Sequence, residues 1–99
     1  MDITLLYFDG CPNWKKADAH LRALADELPG LNIVRHAVET GEEAERVGSQ
    51  GSPSILVDGV DPFANPDAPI GLSCRVYQTP EGPAGSPTLS QLRAALSRG

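Results

Sequence analysis

From Asp2 to Asp9 (DITLLYFD) apolar residues follow one another almost without interruption, the pattern of a short strand covered on both faces, which places it centrally in a sheet. After Gly10-Cys11-Pro12 the period changes. Trp14, Ala17, Leu21, Leu24, Ala25 and Leu28 fall on one stripe of an amphipathic helix, with Pro12 suited to its first position and Pro29-Gly30 to its end. Leu31 to Val38 alternates with polar residues on both sides, as an edge strand does. Thr40-Gly41-Glu42-Glu43 has the spacing of a capping box, with Glu43 reaching back to the Thr40 amide, and predicts a short helix over Gly41 to Val47. A loop, Gly48 to Ser52, leads through Pro53 into the apolar strand Ser54 to Val57, closed by a turn at Asp58-Gly59.

The second half is less periodic. Residues 60–71 contain three prolines and read as an irregular loop. Leu72, Cys74 and Val76 then alternate against Ser73, Arg75 and Tyr77, which predicts a last strand over Leu72 to Tyr77. After a turn-rich stretch, 78–87, Leu89, Leu92, Ala95 and Leu96 mark the buried face of a terminal helix, capped by Ser86 or by Thr88 with Gln91. The order β-α-β-α-β-β-α over residues 1–99 describes one α/β domain with a four-stranded mixed sheet. Two βα units imply a parallel core with an antiparallel last edge, and helices on both faces.

Composition narrows the chemistry. Thirteen acidic against eight basic residues give a net charge of −5, and no basic run exceeds Lys15-Lys16, so nucleic acid and anionic membranes are not expected as partners. Glu39, Glu42, Glu43 and Glu45 read as a solvated face. The first apolar run is too short for a signal-peptide core and follows Asp2 instead of a basic head, so the chain is expected in the cytoplasm. The two cysteines there point to redox or ligand chemistry in place of a disulfide framework. Neither His20 nor His36 has a ligand-like or catalytic spacing, no metal-ligand pattern appears, and there is no phosphate-cradling glycine run.

A cysteine at a helix start has a physical reason to be reactive. Unpaired backbone N–H groups and the helix dipole favour its thiolate, and Lys15 and Lys16 lie close enough in sequence to add to that. The runs YFDGCPNW (Tyr7 to Trp14) and GSPSILVDG (Gly51 to Gly59), in this element order, resemble the thioredoxin superfamily over nearly the whole chain. The resemblance implies that Pro53 is cis and faces Cys11, and that Pro12, Trp14, Ser52 and Pro53 position a substrate, with Ser52 pairing with the substrate's backbone. One departure is plain: Trp14 stands where the C-x-x-C pattern has its second cysteine. The arrangement implied by the resemblance sets Cys74 in mid-strand, beyond bonding reach of Cys11, which reads it as a packing residue, with a second-thiol role as the alternative.

Three functions follow. The first is a monothiol oxidoreductase in which Cys11 attacks a protein or small-molecule disulfide, and glutathione or another external thiol resolves the mixed intermediate, with no resident cofactor. In the second, Cys11, with or without Cys74, binds a soft metal such as mercury or copper(I). The motifs are also similar to small bacterial thioredoxin-like proteins described as related to alkylmercury lyases. The third is a non-catalytic interaction module, a homodimer among its forms, that uses the fold alone.

Overall fold

The computed structural model describes residues 1–64, 70–72 and 74–97. Its strands and helices are β1 (Asp2–Tyr7), α1 (Trp14–Glu27), β2 (Asn32–Ala37), α2 (Gly41–Val47), β3 (Ser54–Val57), β4 (Tyr77–Thr79), β5 (Gly82–Ala84) and α3 (Leu89–Ser97). The main sheet has three strands in the order β2-β1-β3, so the most apolar strand is central, as its sequence requires. β1 runs parallel to β2, with Asp2 opposite Asn32 and Tyr7 opposite Ala37. It runs antiparallel to β3, with Ile3 opposite Val57 and Leu6 opposite Ser54.

The faces follow from alternation along the strands. Ile3, Leu5 and Ile55 point to one side, where Ala17, Leu21 and Leu24 of α1 and Leu92 and Leu96 of α3 close over them. Leu6 points to the other, against Val38 and Ala44 of α2, with Leu56 and Leu72 packed beside them. Helices therefore cover both faces, and β1 is buried because its neighbours in sequence alternate between two cores.

Two expectations about the sheet need correction. The core is not all parallel, since only β1 and β2 run together. At about 1.5 Å per residue, seven-residue α2 is too short to carry the chain back along the six-residue strand β1, so β3 starts where β2 ended and returns antiparallel. Nor do the described residues of Leu72 to Tyr77 form a fourth strand of that sheet. Among them Cys74 makes a parallel bridge to Ser52, and regular pairing resumes in the separate hairpin β4-β5.

The physical reason is a change of phase. Arg75 and Tyr77 are buried while Cys74 and Val76 are exposed, the reverse of the apolar alternation. Arg75 is drawn in by fixed polar partners, which outweigh the burial of Val76 and take the segment off the strand path. Of the 60–71 loop, residues 65–69 lie outside the described residues, as does Ser73.

Helix ends follow the expected chemistry with small changes. Thr40 Oγ1 accepts from the Glu43 amide at 3.1 Å, but the Glu43 carboxylate accepts from Glu39 N at 3.4 Å, one residue earlier than the capping-box expectation. At α3 the reciprocal bonds form between Thr88 and Gln91, at 3.1 and 2.9 Å, which selects Thr88 over Ser86 as the cap. Asp58 and Gly59 both take positive φ, 50° and 86°, the conformation that tight hairpin turns require.

Candidate functional site

Cys11 follows the end of β1 in a turn that its own amide closes on the Phe8 carbonyl at 3.0 Å. The regular helix starts only at Trp14, with Asn13 as its cap residue, so Cys11 and Pro12 form the approach to α1 and Pro12 is not its first residue. Cys11 has no exposed surface.

Across from it, Gly51 with φ of 114° turns the chain into the cis peptide Ser52-Pro53, the geometry expected there. The Ser52 hydroxyl accepts from the Phe8 amide at 3.0 Å, tying this turn to the one that holds Cys11. The Ser52 carbonyl oxygen lies 3.8 Å from the Cys11 sulfur. Pro12, by contrast, is exposed, and its carbonyl accepts from the Lys15 amide at 3.1 Å.

Cys74 departs from the packing reading and from the expected distance to Cys11, and fits the alternative of a second thiol. It is bonded to Cys11, with a Cα–Cα separation of 5.7 Å, and is exposed instead of packed. The place assigned to a substrate's backbone is also filled from within, because the Ser52 carbonyl accepts from the Arg75 amide at 3.0 Å. The phase change that buries Arg75 is what brings its neighbour to the sulfur of Cys11.

A polar cluster fixes that segment. The Arg75 guanidinium donates to Asp61 Oδ2 at 2.7 Å, to Ser54 Oγ at 3.1 Å and to the Phe63 carbonyl, and its carbon lies 4.6 Å from the centre of the Tyr77 ring. Ser54 in turn donates to the Gly51 carbonyl at 2.7 Å. The Tyr77 hydroxyl donates to the Pro53 carbonyl, and Phe63 packs edge-on to its ring. Burial pushes the Tyr77 phenol well above its ordinary value; the charge on Arg75 opposes this and that on Asp61 adds to it. Tyr77 therefore remains a donor at any physiological pH.

Trp14 is half-buried, packed against the core that α1 and α3 share with the sheet. Its ring is 4.5 Å from that of Tyr7, and the Arg35 guanidinium sits 5.4 Å above it. Arg35 also holds Asp18 with bonds of 2.6 and 3.1 Å, and Arg22 adds one of 3.1 Å. Burial alone would raise the Asp18 pKa, but the two guanidinium groups together hold it below the usual carboxylate value.

The C-terminal hairpin touches the same turn. A Cβ on Gly85 would come within 2.3 Å of the Asn13 side-chain nitrogen, so the chain just after β5 runs against the cap residue of α1, and a side chain there would have to push the Asn13 amide aside. Sequence reasoning brought Cys11, Ser52 and Pro53 together correctly and missed Arg75, Asp61, Ser54, Phe63 and Tyr77. No spacing marks that cluster; the one available signal was an arginine alternating with a tyrosine in a segment read as a strand. Comparison with protein-family models, curated proteins and solved structures finds no match to the chain.

Proposed function

We propose that the chain is a thioredoxin-like thiol–disulfide exchange protein that cycles between the closed Cys11–Cys74 bond and an open dithiol. The observation that carries this reading is the bond itself, set against Ser52-Pro53 with one half-cystine exposed and the other enclosed. The parallel β1-α1-β2 unit, the antiparallel β3 beside it and the C-terminal α3 support the fold side of the proposal. Cys74 supplies the second thiol that Trp14 leaves missing from the sequence motif, so a two-thiol cycle replaces the monothiol scheme. In the reducing cytoplasm that this reading assumes, a closed bond is a transient catalytic or sensing state; no helix of the described residues is long and apolar enough to cross a membrane.

The test is turnover of a small fluorogenic disulfide by the folded protein with a dithiol as reductant. Replacing either Cys11 or Cys74 with Ser is expected to lower it by roughly a hundredfold or more, because the two sulfurs act as a unit. A bond that opens only when the protein unfolds would overturn exchange and leave a structural cross-link. The same juxtaposition favours one second reading, in which the reduced pair binds a soft ion such as mercury(II) in two-coordinate fashion. Stoichiometric binding lost in either Cys→Ser variant, without disulfide turnover in the parent, is the result that would favour it.

A further inference from the structure

We infer that exchange begins at Cys74, not at Cys11, so that Cys74 is the sulfur that bonds to the external partner and Cys11 is the enclosed sulfur that leaves and resolves. This rests on the exchange reading and gives its two thiols different work. A sulfur is opened by a thiolate arriving in line with the S–S bond, and access decides which of the two sulfurs it reaches. Cys11 has no exposed surface, whereas Cys74 is exposed, so a partner thiolate meets Cys74.

The steps balance. A thiolate RS⁻ attacks Cys74 Sγ; the new RS–Sγ bond forms as the Cys11–Cys74 bond breaks, and its electron pair leaves on Cys11. A second thiolate attacks the R-side sulfur of the mixed disulfide, releasing RSSR and the Cys74 thiolate. Two thiols have then been oxidised and the protein has gained two electrons and two protons. In the opposite direction Cys74 attacks a disulfide, expels one half as thiolate, and Cys11 displaces the other half by re-forming the internal bond.

Two features fit Cys11 to the leaving role. It lies in the turn that leads into the N-terminal end of α1, the end at which a helix favours negative charge. Its partner does not drift off when the bond opens, because the Arg75 amide is held by Ser52 and the Arg75 side chain by Asp61, Ser54 and Phe63. Cys74 therefore stays opposite Cys11 at a high effective concentration, which makes the resolving step fast.

The experiment compares two single-cysteine variants, Cys11→Ser and Cys74→Ser, reacted with 5,5′-dithiobis(2-nitrobenzoate) in native buffer and again in denaturant. The variant that keeps Cys74 is expected to react about tenfold or more faster when native, with the two rates converging when unfolded. A variant keeping Cys11 that reacts equally fast or faster overturns the inference. Because removing Cys74 can loosen the turn, the oxidised parent is also pulsed with excess glutathione, quenched in acid with maleimide and mapped. Glutathione is expected on the peptide carrying Cys74 and maleimide on the one carrying Cys11. The reverse labelling overturns the inference while leaving exchange intact, whereas loss of exchange itself is read separately in the turnover assay.

Discussion

Arg75 carries a full charge to a place where only 7% of its side chain meets solvent, with Asp61 at 10% beside it. Such a pair contributes little over well-packed apolar groups, yet loss of one member strands the other charge away from water. Arg75→Met is therefore expected to lower stability by about 3–5 kcal/mol in urea titration. Adding Asp61→Asn should recover part of that, so the double variant is less damaged than the sum of the singles predicts. If the two losses simply add, the pair is not a unit and the anchoring of Cys74 has another source. The same residue explains why the site was half legible. Cys11, Ser52 and Pro53 announce themselves by residue type and spacing, but Arg75 reads as the solvent side of a strand until its partners, scattered over residues 54 to 63, are folded around it.

The elements were readable wherever local chemistry and burial agree. β1, α1, α2, β3 and α3 carry their periods, their stops and their caps in the sequence, and α2 and β3 have the predicted limits. β4 and β5 do not, since two three-residue strands, one containing Pro83, lack both the length and the alternation that define a strand. Between elements, the clearest electrostatic tie is Asp18 of α1 to Arg35 of β2. Its carboxyl sits below the usual value in the folded chain, so its contribution is complete above the unfolded pKa and is lost as pH falls through the folded one. Asp18→Asn is expected to cost about 1–2 kcal/mol at pH 7, at the low end for a charged hydrogen bond because Arg22 and Arg35 lie largely in water. The gap between parent and variant should narrow as pH drops below about 4, read from urea midpoints across the acid range. A gap that is constant down to pH 2 would mean that Asp18 acts by shape and not by charge.

Across the chain as folded, the Cys11–Cys74 bond closes a loop of 63 residues, more than half the sequence. On chain-entropy grounds its reduction is expected to lower stability by about 4 kcal/mol at most, measured as the shift in urea midpoint between the oxidised protein and the same protein in excess dithiol. A shift near zero would show that the cluster around Arg75 already confines the segment when the bond is open. Beyond that bond, the close approach of Gly85 to Asn13 links the end of β5 to the turn that follows Cys11. Even one added methyl group there would force the Asn13 amide aside. A side chain at position 85, 74 positions after Cys11, would therefore be felt at Asn13, two residues after that cysteine.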